Sequence, residues 1–248
     1  MRAHARMPFS SDLVLPPPFA LVTLREVGDA FAHATSIAAE KGAGTLVYVG
    51  RFDLAEFAVV LEPDEPLRSA RRAFFAGMSA LADSLVAHAP PETPLAIEWP
   101  DAVTVNGGTV GGGRLGWPRG ADENRPPAWL VFGAMIRTVA MNTEPGLNPL
   151  STALEEEGFS DFTAARLVES FARHLMLVTD SWNERGFDAV ARDYLARLPA
   201  EKGTRRHIDR NGDLLIALPG DTDVERKELL PALAKPSWLD PKTGGPQA

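Results

Sequence analysis

The feature that most constrains this chain is how closely its β-rich runs follow one another in the middle of the sequence. Residues 95–99 (LAIEW), 103–105, 109–110, 114–117 and 129–141 (WLVFGAMIRTVAM) all read as strand. Only turns, glycines and one polar, proline-rich loop over 119–127 separate them. Earlier strands are expected at 19–24, at Thr45–Val49 and at 57–61 (FAVVL), the last buried because its apolar residues do not alternate with polar ones. Helical spacing appears once between strands over 29–41, closed by Gly42 and Gly44, and again over 66–89. It then clusters late, over 161–180 and 182–197, with Asp161 as a candidate cap and an interruption near Gly186. Strands joined by short turns, with helices inserted singly and then grouped, specify an α+β fold. Its sheet is mixed and largely antiparallel and packed by helices, unlike a regularly alternating parallel sheet.

Three segments follow from this pattern. Residues 1–18 read as a flexible tail ending in the triple proline Pro16-Pro17-Pro18, residues 19–198 as the main domain, and residues 199–248 as a small β-rich piece followed by a polar tail. That last piece has one clear hairpin over 206–217, turning at Asn211-Gly212. A loop and a short helix are expected over 146–158.

Composition removes several function classes. The chain of 248 residues carries a formal charge of -8, which argues against nucleic-acid and anionic-membrane partners, since phosphate neutralisation needs clustered Lys and Arg. With no cysteine it has no disulfide, thiolate metal site or cysteine nucleophile. The histidines at 4, 33, 88, 174 and 207 show no metal-ligand spacing, so no metal site is expected. No secretory signal or apolar run long enough to span a bilayer is apparent, and a cytoplasmic protein is expected.

The most informative stretch is 98–115, EWPDAVTVNGGTVGGGRL. It resembles the central signature of the biotin/lipoate protein ligase family, in which a strand ends Lys-Trp-Pro-Asn-Asp and a second Lys follows after a turn, ahead of small residues. Trp99 and Pro100 match, as do Gly111 and Gly112 at the small pair. Glu98 stands at the first Lys, Asp101 at the Asn, Ala102 at the Asp and Thr109 at the second Lys. Further segments follow the family's order: 150–158 resembles its short helix, 171–198 its closing helix pair, and 208–215 (IDRNGDLL) a turn of its small C-terminal barrel. The resemblance implies a sheet of the ligase and class II synthetase type. It also implies ATP and biotin or lipoate as cofactors of an active member, with a carrier-protein domain or a homodimer as partners.

The departures fall on the chemistry. The family's Ser-Thr-Asn turn at the start of the first helix corresponds here to Gly28-Asp29-Ala30-Phe31, and its arginine-rich adenylate loop is reduced to Gly50-Arg51. Activating a carboxylate with ATP needs positive charge on phosphate and acyl oxygens. The candidate substrate-binding residues are Arg51, Glu98, Trp99, Pro100, Asp101, Thr109, Gly111, Gly112, Gly113 and Arg114, with no catalytic residue assigned. Two readings remain. One is a divergent binding protein that keeps a small-molecule pocket without standard biotin ligation. The other is an active ligase or acyltransferase placing a biotin-, lipoate- or octanoate-like acyl group on a carrier lysine.

Overall fold

The structure is a computed structural model describing residues 13–141, 150–160, 162–218, 220 and 223–247. Strands β1 (Ala20–Leu24), β2 (Thr45–Val49), β3 (Leu54–Leu61), β4 (Leu95–Glu98), β5 (Ala102–Val105), β6 (Gly108–Gly116) and β7 (Leu130–Arg137) form one sheet. Its order is β1-β2-β3-β7-β6-β5-β4. Only β1 and β2 run parallel, joined by helix α1 (Ala30–Lys41); the other neighbours are antiparallel.

The helices divide the two faces. On one face α1 presents Ala30, Ala34 and Ala38, four residues apart, to Val47, Ala58, Val60 and Val131. Alternate residues of the same strands, including Leu46, Phe57, Val59 and Phe132, point to the other face. There they meet α2 (Leu67–Ala70), α3 (Ala73–Val86), α4 (Ala164–Arg185) and α5 (Phe187–Leu195). Phe132 and Phe171 stack with ring centroids 5.7 Å apart, and Phe57 lies 4.6 Å from Phe171. The C-terminal sheet, β8 (Arg205–Ile208), β9 (Leu214–Ala217) and β10 (Val224–Lys227), leads into α6 (Leu229–Leu233). Ile208, Leu214, Ile216, Leu229 and Leu233 all join the main core.

Several expectations are corrected. The helix expected over 66–89 is two, broken at Arg71-Arg72; the Arg71 guanidinium pairs with Glu123 and Arg72 with Glu65. β3 begins at Leu54, so the buried strand extends back through Glu56 and Ala55 to Leu54. α4 continues to Arg185 and ends at Gly186, whose N–H bonds the Trp182 carbonyl, so Trp182 belongs to the first helix of the late pair. Asp161 lies outside the described residues; the observed cap is Thr163, which accepts from the Arg166 N–H. Residues 146–149 also lie outside them, and 150–158 forms turns without helix. The short strands expected at 109–110 and 114–117 are one nine-residue strand, β6, running straight through Gly111–Gly113, while 103–105 lies in the neighbouring β5, with a bulge at Val103/Thr104. The tail after the hairpin contains β10 and α6 and is partly buried.

Gly111 shows why glycine is needed in that strand. Its φ is +146°, and a Cβ there would fall 1.9 Å from the Met135 carbonyl oxygen on β7. Gly111→Ala is expected to lower unfolding stability by about 3 kcal/mol, combining strain with overpacking. Urea denaturation reads this directly, and a parental midpoint would contradict so close an approach of β6 to β7.

Candidate functional site

The α1 face of the sheet has three zones: the apolar footprint of α1, a polar seam at its N-terminus, and a patch beyond covered by the C-terminal segment. The seam arises because a helix start leaves amide donors without internal partners. Asp29 is the N-cap and accepts from Ala32 N–H at 2.9 Å. Glu56, buried on β3, accepts from Ala30 N–H at 2.8 Å. Both carboxylates also complement the positive end of the helix dipole.

Arg114 on β6 bonds Asp29 at 3.1 Å, and its guanidinium lies 4.2 Å from the Phe31 ring centroid. Its Nε is buried with no hydrogen-bond partner among the described residues. Burial pulls its pKa down, while Asp29 and Glu56 hold it up. Burial likewise pushes the Glu56 carboxyl up, opposed by the Ala30 N–H and by Arg114 and Arg51. Arg51 grips Asp53 bidentately, at 3.1 and 2.8 Å, and this contact holds Asp53 below its ordinary range.

The other candidates divide between the two faces. Trp99 points to the core, stacked on Phe75 at 5.6 Å between centroids. Pro100 is buried, follows a cis peptide bond, and its carbonyl accepts from the Tyr194 hydroxyl at 2.8 Å. Glu98 sits directly opposite Ala102 and so shares its face, but as an exposed edge residue with no partner among the described residues. Thr109 lies at the far end of β6, bonded through its backbone to Leu150 and Thr152. Asp101 is buried; its carboxylate accepts from Ser237 N–H at 2.9 Å and Ser237 Oγ–H at 2.6 Å. Burial pushes its pKa up against those two bonds. Gly112 and Gly113 lie beneath Trp238, whose indole N–H donates to the Gly113 carbonyl at 3.0 Å.

The structure therefore gathers Arg51, Asp101, Gly112 and Arg114 on one face, with Gly113 contributing its carbonyl while its Cα faces Met78 and Phe132 on the other, leaves Glu98 and Thr109 at its margins, and turns Trp99 away. Sequence reasoning did not select Glu56, Ser237 or Trp238. A lone acid inside an apolar strand, LAEFAVVL, was the available signal for Glu56. A separate open cavity of about 580 Å³ lies on the helical side near Leu61, Leu130, Leu175 and Trp182, and none of the candidate residues lines it. Among the described residues no cluster of three metal-ligating side chains forms, and no helix is long and apolar enough to cross a membrane.

With this geometry in place, the sequence profile of the Biotin/lipoate A/B protein ligase family matches residues 15–196. The chain belongs to this family. Its fold resembles that of a biotin protein ligase-like protein of unknown function from a Silicibacter species, with 27% identity and a TM-score of 0.73 over 86% of this chain and 96% of that one. It also resembles the biotin protein ligase of Aquifex aeolicus, at 13% identity and a TM-score of 0.64 over 85% and 99% of the two chains. The Leishmania major biotin protein ligase aligns over 86% of this chain and 99% of its own, at 14% identity and a TM-score of 0.55. No curated protein matches the chain.

The seam gives a pH prediction. A carboxyl whose pKa is higher folded than unfolded, as at Glu56, binds its proton more tightly when folded. Its ionisation therefore costs stability, and that cost grows as pH rises through and above the unfolded value. Glu56→Gln keeps a carbonyl for the Ala30 N–H but cannot ionise. The variant's Tm relative to the parent should thus be higher near pH ~8 than near pH ~4; a difference that falls with pH would contradict the burial argument.

Proposed function

We propose that this protein is a divergent biotin/lipoate ligase-like protein that does not perform standard ATP-dependent biotin ligation and keeps a small-molecule site beside Arg114. The observation that carries this reading is the closed seam at the start of α1. An anionic substrate or phosphate binding there would need free amide donors and free cations. The Ala30 and Ala32 amides already bond Glu56 and Asp29, Arg114 bonds Asp29, and Arg51 bonds Asp53. Each of these contacts would have to be broken, and Glu56 would oppose an incoming carboxylate in a poorly hydrated site. Lost charge-assisted contacts are each worth about 1.5–3 kcal/mol, so several together remove many orders of magnitude in rate. Arg114 Nε, buried without an acceptor, supports retention of a binding role.

The test is incubation with ATP and biotin, lipoate or octanoate, following pyrophosphate release beside a thermal-shift titration. No turnover, together with a saturable Tm rise for a small ligand, is expected; robust adenylate formation would overturn the proposal in favour of an active ligase or acyltransferase.

A further inference from the structure

The part of the sheet face that α1 leaves bare is covered by residues 236–247. Trp238 is 1% exposed and packs with Leu54, Ala102 and Met135. It fits because Gly112 has no side chain: a Cβ there would come within 2.4 Å of the indole. The segment is also closed on itself. Gln247 N–H donates to the Trp238 carbonyl at 2.7 Å, its side-chain amide donates to the Ser237 carbonyl at 2.9 Å, and Leu239 bridges Pro246. Polar anchorage to the sheet comes from three residues: Asp101 holding Ser237, the Gly113 carbonyl holding the indole, and Arg137 donating to the Pro246 and Gln247 carbonyls at 3.1 Å each.

We infer that residues 236–247 form a displaceable strap, and that lifting it uncovers a site for a planar, indole-like heterocycle with an N–H donor. The seated indole defines the ligand class. The site offers an apolar floor of Leu54, Ala102 and Met135, bare backbone at Gly112, and a carbonyl acceptor at Gly113. The Asp101 carboxylate at one end accepts a donor or cation, and the Arg137 guanidinium at the other takes a carbonyl oxygen. Two properties favour lifting as a unit: the strap bonds the amides of Leu239, Asp240, Gly244 and Gln247 internally, and it buries one large side chain. The Asp101 carboxylate, pushed toward its neutral form by burial, regains water when the strap leaves. The inference rests on the reading that this face binds a small molecule, and it names that molecule's class and what competes with it.

Free indole serves as the probe, read by hydrogen exchange on the unmodified full chain. Amides held inside the strap, those of Asp240, Gly244 and Gln247, should exchange at least about 100-fold faster than β7 amides, as expected of local opening. Indole at millimolar concentration should raise strap exchange further, because it takes the Trp238 seat, while β7 stays unchanged. In the full chain carrying Trp238→Ala, indole should give a saturable Tm rise absent from a non-aromatic alcohol control. Strap amides as protected as β7, or indole leaving their exchange unchanged, would overturn the strap whether or not the variant folds. The two readings fail separately. Pyrophosphate release by Trp238→Ala with ATP and biotin, absent in the parent, would uphold the strap as a block on the site and overturn the non-ligase proposal. Strap amides opening only with the sheet would overturn the strap and leave the non-ligase proposal intact.

Discussion

The structure depends on a strip of bare backbone at the centre of its sheet. β6 and β7 place Gly112, Gly116 and Gly133 on the α1 face, and on this strip other elements sit closer than any side chain would allow. Phe31 of α1 lies where a Cβ on Gly133 or Gly116 would be, within 2.6 and 2.8 Å. Trp238 occupies the equivalent place at Gly112. The two aromatics flank Arg114, the cation that rises from β6 between them. Interiors pack at crystal-like density, so one added methyl group on this strip would displace a whole ring. The glycines thus decide where α1 starts, which side chains surround Arg114, and what covers the rest of the face.

Charge on this face is arranged to be consumed internally. A helix start is ordinarily a ready anion site because its amides and dipole both favour negative charge. Here Asp29 and Glu56 fill that role from within the chain, and Arg114 answers them. A buried carboxylate beside a buried guanidinium is tolerable only when each has partners, since desolvation of an unpaired ion costs several kcal/mol. Counting arginines in the sequence therefore overstates the positive charge available to a ligand. Arg51, Arg114 and Arg137 all reach this face, yet each is bound to a carboxylate or to backbone carbonyls.

Much of this was legible in the sequence, and the failures have physical causes. Short connections between strands pointed to the antiparallel sheet, and the Trp99-Pro100 signature pointed to the family. Asp29 was visible before an Ala-rich helix, though as part of a lost family turn rather than as a working cap. Glycines 111–113 separated the expected short strands because glycine punctuates chains locally, whereas here a continuous strand uses them for close approach to the β7 backbone, to Trp238 and to Met78. Glu98 was selected from its place in the family signature, but that signature does not reveal that β4 is the outermost strand, where such a side chain meets water. The tail was the largest gap. PSWLDP shows one indole between prolines with no period of two or 3.6, so no pattern marks it as buried. Its partner carbonyl is 125 residues away in sequence, a separation that local reasoning does not reach.

That gap also explains why the tail bears on function. A segment buried through periodic side chains is bound into the core at many points and leaves only when the domain unfolds. A segment held by one indole, two hydrogen bonds to one carboxylate and two from one guanidinium has few contacts to lose at once. Ordering its backbone opposes closure, and Asp101 opposes it further whenever it is ionised beneath the strap. Closure is thus supported chiefly by the fit of Trp238 on Gly112, and a molecule offering the same shape and the same N–H competes for that fit directly. The face need not be empty to be a binding site. Its present occupant, a tryptophan of the chain itself, describes the kind of molecule it accepts.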